Sequence, residues 1–332
     1  MKTRKGIATD FHSVGSSGAS ACAARTRRGT LAAWALVLFW GFHYVVLYRP
    51  LRLIDPERYL FLRFGWASGV VLLVSIFFPF LRGIARENWA RLLLLSLIGI
   101  IGYQWVFLRA ASLLDPVPLV LILSMGPVIV ALYSHARGHE SFSPFQWGAM
   151  GLIGFGVYLV VRGEPAGTGS AGSLRTGLVM AFLSLLFFTA STFLTRSLLS
   201  RVTTIQTTLV PVLLGGLILI PFHPDWLLLP PGPHRGMVFL SLLYSIFVAL
   251  FLSYYLWNMA VADIGPARAG LWSNGQPLVA AVGSALFLGH HLSWGQALGG
   301  FLAVGGFWIF FGKKRPAGTL TGGDAGGKLS PP

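Results

Sequence analysis

The sequence predicts an all-α membrane protein of ten transmembrane helices, built as two inverted five-helix repeats. Three observations predict it. Of the 332 residues, 55% are hydrophobic and only 11% charged, against about 25% charged in a soluble domain. Apolar runs recur along nearly the whole chain, each close to the roughly 20 residues that a spanning helix needs. The third observation is internal. Laid over itself with an offset of 150 positions, the chain places Pro277 on Pro127, Ala281 on Ala131 and Gln296 on Gln146.

Residues 1–29 carry Lys2, Arg4, Lys5, Arg25, Arg27 and Arg28 and read as a basic cytoplasmic tail. Cys22 is the only cysteine, which excludes an intramolecular disulfide and a cysteine metal cluster. No small-residue cleavage site follows the arginines, so the next apolar run reads as a retained first span. Spans at 30–48, 58–80, 90–110, 116–134 and 145–162 make a first repeat, 30–162. Gly, Ser and Pro mark 163–175 as a linker on the outer side. Spans at 176–196, 203–222, 236–258, 266–288 and 294–312 make a second repeat, 176–312. The stretch 313–332, "KKRPAGTLTGGDAGGKLSPP", is low-complexity and basic, hence a second cytoplasmic tail. Two tails on one side require an even number of spans.

The offset holds beyond the opening pairs. Ala110 lies over Ala260, Pro116 over Pro266, Leu121 over Leu271, Leu152 over Leu302 and Gly156 over Gly306. Because five is odd, the second unit enters the membrane from the opposite side. Inverted repeats of this kind enclose a midplane site in many secondary transporters. The net charge of +15 would suggest nucleic acid in a soluble protein. Here ten of the basic residues lie in the two tails, so the partners read as the lipid bilayer and a small-molecule substrate, with no nucleic acid.

"FWGFHYVV" in the first span, "RYLFLRFGWASG" in the second and the two Pro-to-Gln segments resemble the EamA-type ten-span members of the drug/metabolite transporter superfamily. The resemblance covers about residues 30–312. It implies a secondary transporter in the inner (plasma) membrane that exports small organic metabolites, such as amino acids or related solutes, as a monomer or homodimer without a cofactor. The alternative is a non-transporting receptor or assembly factor that keeps the fold. The family's Glu after Leu-Gly is present as Glu140 but is His290 in the second repeat, and "ARGH" replaces Leu-Gly in the first.

The candidate substrate-binding residues are Trp40, His43, Arg63, Tyr103, Gln104, Tyr254, Asn258, Trp272 and Asn274, expected around one cavity between the repeats. Tyr103 and Gln104 correspond through the offset to Ser253 and Tyr254. An arginine inside a span is costly unless it reaches the interface or faces a polar cavity, and Arg63 allows both readings. Arg109 lies nearer its span end, where snorkelling is expected. Buried amides such as Asn258 and Asn274 need either neighbouring helices or a wet cavity. All ten acidic residues fall in tails, loops or span ends, leaving His43 as the embedded group that titrates near neutrality.

Other motifs carry no chemistry. "GTGSAG" (167–172) matches a dinucleotide-loop pattern but lacks the surrounding βαβ unit. His135, His139 and Glu140 have helical metal-pair spacing without further ligands, so no metal is expected; His290 and His291 read the same way. No nucleophile–base pair or carboxylate pair converges at useful spacing, so no catalytic residue is assigned and the protein reads as a non-enzyme. The glycines of spans five and ten (Gly148, Gly151, Gly154, Gly156, Gly295, Gly299, Gly300, Gly305, Gly306) are expected to serve helix packing.

Overall fold

The computed structural model describes residues 8–136, 142–162, 171–289 and 293–312, and every regular element among them is helical. The segments holding His139, Glu140, His290 and His291, most of the linker and the C-terminal tail lie outside the described residues. Seven continuous helical stretches are long and apolar enough to cross a membrane. Two further crossings are broken in the middle, and the last is a single helix, α15 (Trp294–Gly312).

The first crossing belongs to α1 (Ala8–Tyr48), which begins well inside the segment expected as a tail. Pro50 is the first proline of the chain, and the helix runs without a breaker until it meets that residue. A single turn, α2 (Pro50–Leu53), leads to α3 (Pro56–Phe77). There the Asp55 carboxylate accepts the Glu57 N–H at 2.9 Å, and Pro56 occupies a first-turn position that needs no donor. The third crossing is α4 (Arg86–Leu95), a π-helical stretch (Ser96–Gly102) and α5 (Tyr103–Leu113). The fourth is α6 (Pro116–Leu123) and α7 (Gly126–Ala136), and the fifth is α8 (Pro144–Arg162).

The second repeat has five crossings of the same kinds in the same order, with different connecting turns. After α9 (Ala171–Leu198) and α10 (Thr204–Leu219) come α11 (Arg235–Leu243), a π-helical stretch (Tyr244–Leu252) and α12 (Ser253–Ile264). The ninth crossing is α13 (Pro266–Ser273), α14 (Gln276–Gly283) and a π turn (Ser284–Leu288). Both π stretches end one residue before an α-helix that starts at Tyr103 or Ser253, positions that differ by the repeat offset. The two breaks, at Ser124–Met125 and Asn274–Gly275, obey the same offset. So do two capping boxes: Gln146 and Ser143 exchange side-chain-to-backbone bonds at 3.0 and 3.3 Å, Gln296 and Ser293 at 3.0 and 3.2 Å.

The sequence reading expects the fourth and ninth crossings as unbroken helices, and each is split. Proline has no N–H to return to the carbonyl four residues back. At Pro127 that carbonyl belongs to Leu123, the last residue of α6; at Pro277 it belongs to Ser273, the last residue of α13. The helix therefore stops and restarts at the same point in both repeats.

Between crossings five and ten, α8 and α15 meet backbone to backbone. A Cβ on Gly156 would stand 2.5 Å from the Gly299 carbonyl, and one on Gly299 would stand 2.5 Å from that of Gly156. Gly306 makes the corresponding approach to Ala149 and Ile153. Gly148, Gly151, Gly154, Gly300 and Gly305 face open space and Gly295 meets only the Ser293 hydroxyl at 3.8 Å, so three of the nine do the packing expected of all of them. Apolar residues that stay exposed, such as Ile76, Phe77, Leu286 and Phe301, face outward as a lipid-exposed surface does.

Candidate functional site: a polar cavity between the repeats

The tail face of the molecule is the side on which α1 begins, and the far face is the side that α1 reaches. Arg63 lies seven residues into α3, about 10 Å from the far face; Tyr103 and Gln104 lie about 15 Å from the far end of α5. Tyr254 is about 15 Å from the tail end of α12. These depths bring the side chains together near the midplane. Trp40, His43, Arg63, Tyr103, Gln104 and Tyr254 all line one cavity, joined by Tyr44, Phe107, Ser124, Phe188, Ser273 and Gln276. Ser124, Ser273 and Gln276 come from the two helix breaks or their immediate edges.

Arg63 settles between its two readings by facing the cavity. The residue is 1% exposed, yet it pairs with no carboxylate among the described residues. Its Nε and Nη2 donate to the Ser245 carbonyl at 3.3 and 3.1 Å, and Nη1 donates to Gln104 Oε1 at 2.9 Å. Gln104 Nε2 then donates to the Tyr254 hydroxyl at 3.0 Å, which ties the first repeat to the second. Three of the five guanidinium N–H groups are used, and one on each terminal nitrogen has no partner among the described residues.

A second chain of bonds starts at His43, whose Nε2 is 2.8 Å from Ser245 Oγ. The same hydroxyl is 2.7 Å from the Tyr59 hydroxyl, which donates to Ser241 Oγ at 3.2 Å. Ser245 thus meets His43 with its side chain and Arg63 with its carbonyl. Ser245 and Ala249 both lie in the π stretch, and the Ala249 carbonyl accepts Trp40 Nε1–H at 2.9 Å. A carbonyl has two lone pairs, so these backbone groups serve the helix and a side chain at once. π turns concentrate at functional positions, and here one supplies two acceptors to the cavity wall. Trp40 also stands edge-on to Tyr254 and Phe188, at 5.5 and 5.9 Å between ring centres.

Three sequence candidates lie elsewhere. Asn258 donates to Thr208 Oγ1 at 2.8 Å and lines a smaller, hydroxyl-rich cavity with Ser191, Thr195 and Thr207 toward the tail face. Trp272 packs on Trp34, ring centres 5.1 Å apart, rather than on the central cavity. Asn274 sits in the ninth-crossing break, 6% exposed, and neither its amide nitrogen nor its oxygen has a hydrogen-bond partner among the described residues. The missed residues share a signal: Tyr59 with Arg63, Ser241 with Ser245, and Tyr44 with Trp40 are spaced four apart and so share helix faces. Arg109 behaves as expected, pairing with Glu57 at 2.8 Å at the far face.

The central cavity is small. The space open to water centres is about 40 Å³, on the order of three waters. A more apolar chamber of about 60 Å³ adjoins it toward the tail face, sharing Leu123, Phe188 and Ser273. Among the described residues no group of His, Cys, Asp and Glu is placed to hold a metal ion.

Two related helical units around a polar midplane cavity, each with a helix broken beside it, define the architecture of a membrane transporter. The chain belongs to the EamA-like transporter family, whose model matches residues 27–162 and again 175–312. It is 24% identical over 265 residues to the uncharacterized transporter YyaM of Bacillus subtilis, covering 78% of this chain and 83% of that one. An uncharacterized transporter of Archaeoglobus fulgidus is 24% identical over 292 residues, covering 84% and 96%. The uncharacterized inner membrane transporter YicL of Salmonella typhimurium is 26% identical over 210 residues, covering 61% and 67%. A solved structure overlays on 85% of this chain and 95% of its own with a TM-score of 0.60 at 19% identity, a likeness of fold alone.

Proposed function

We propose that this protein is a secondary transporter of the inner (plasma) membrane that exports small organic metabolites, such as amino acids or related solutes, by alternating access. Both termini are cytoplasmic in this reading, and the working unit is a monomer or homodimer without a cofactor. The observation that carries it is the polar cavity where the two repeats meet, bridged by the Arg63–Gln104–Tyr254 chain. The bond from Gln104 to Tyr254 joins side chains of different repeats. A relative rocking of the repeats would break it and admit solute from one face at a time. Arg63 adds a fixed positive charge that favours neutral, zwitterionic or anionic solutes over cations by about 1–3 kcal/mol.

No carboxylate among the described residues lines the cavity, so a proton gradient has His43 to act on there. The protein then works by facilitated diffusion or by weak coupling through His43. The test is solute flux in proteoliposomes with and without an imposed pH gradient, for wild type and His43→Gln. The reading expects flux of amino-acid-like solutes whose pH dependence disappears in His43→Gln. Strong pH-driven accumulation that survives the substitution contradicts the coupling assignment. Binding without any flux would favour the receptor or assembly-factor reading.

A further inference from the structure

We propose that the central cavity selects organic monoanions: a single carboxylate set on Arg63 with a flat, apolar body and no ammonium group. The proposal rests on the transporter reading above but departs from its amino-acid example, placing plain carboxylates ahead of amino acids. The buried guanidinium has only neutral oxygen partners, the Ser245 carbonyl and Gln104 Oε1. Its two remaining N–H groups, one on each terminal nitrogen, are the number that a carboxylate accepts. No described Asp or Glu stands within ion-pair distance to neutralise it, and a buried cation without a counter-ion is a costly arrangement that an incoming anion relieves.

The charge count sets the valence. Among the described residues Arg63 is the only Lys or Arg lining the cavity, so one negative charge is matched and a second is not. The same lining holds no carboxylate among the described residues, so an ammonium on the solute would face the guanidinium without an anionic partner of its own. That separates a plain carboxylic acid from an amino acid of the same size. The body of the solute is specified by Trp40, Tyr103, Phe107, Phe188 and Tyr254, whose rings surround the polar group. Beyond Phe188 lies the apolar chamber, which shares three lining residues with the central cavity and continues its length. A flat body placed past a moved Phe188 keeps its head on Arg63.

The experiment uses the full-length protein and four probes with one phenyl-ethyl body: 3-phenylpropanoate, phenylalanine, phenethylamine and 3-phenylpropanamide. Binding is read by tryptophan fluorescence in detergent, and flux by efflux from loaded proteoliposomes. We expect 3-phenylpropanoate to bind at least tenfold more tightly than each of the other three. Arg63→Lys keeps the charge but loses the fork and should weaken it several-fold; Arg63→Gln should erase the preference among the four. Equal or tighter binding of phenylalanine or phenethylamine overturns the proposal, as does failure of all four to bind at millimolar concentration. If Arg63→Gln does not fold, the wild-type ranking alone decides. Selective binding of 3-phenylpropanoate without flux would sink the transporter reading and leave the monoanion site standing.

Discussion

Two amides show how differently a buried polar group can sit in this protein. Gln104 uses both ends, accepting from Arg63 and donating to Tyr254. Asn274 uses neither. A buried group with partners costs about 1–3 kcal/mol to delete because the partners are stranded, whereas an unpaired group already carries that cost. Gln104→Leu should therefore lower the thermal denaturation midpoint in detergent, and Asn274→Leu should leave it unchanged or raise it. Equal losses from the two substitutions would contradict the bonding described here. Composition and spacing made Arg63, Gln104 and Tyr254 legible, because polar groups inside apolar runs must face something polar. The direction that Trp272 and Asn274 face was not legible, since it depends on how the ninth crossing restarts after its break.

At the scale of single helices, the crossings and their repeat were readable from hydropathy and from prolines at a fixed offset. The breaks and π stretches were not. A run such as "PVPLVLILSMGPVIVALY" (116–133) is apolar throughout, and hydropathy does not register a lost backbone bond. Close helix contacts were half readable, since nine glycines offered themselves and three are used. Gly156→Leu or Gly299→Val forces side-chain atoms onto a carbonyl and should destabilise by about 1–3 kcal/mol or more. Gly148→Ala and Gly151→Ala meet open space and should change stability little, with a helix-propensity gain of up to about 1 kcal/mol. Thermal denaturation of the four variants checks this; equal sensitivity at all four positions would show that α8 and α15 do not pack as described.

For the whole molecule, the odd number of crossings in each repeat fixes the relation between linker and tails. Reporter fusions after Gly169 and after Lys314 should give opposite signals, with the second on the cytoplasmic side. Matching signals would remove the inverted arrangement. The central claim is that one cavity between the repeats opens to each side of the membrane in turn. Gln276 tests it best, because it lines that cavity at the start of α14 and its Oε1 is a long 3.5 Å from the Tyr44 hydroxyl, so replacing it disturbs little. With Cys22→Ser as background, Gln276→Cys can be exposed to a membrane-impermeant thiol reagent in right-side-out and in inside-out vesicles. The account predicts labelling from both faces, slowed from both by a transported solute. Labelling from one face only, whatever the solute and gradient, would contradict it.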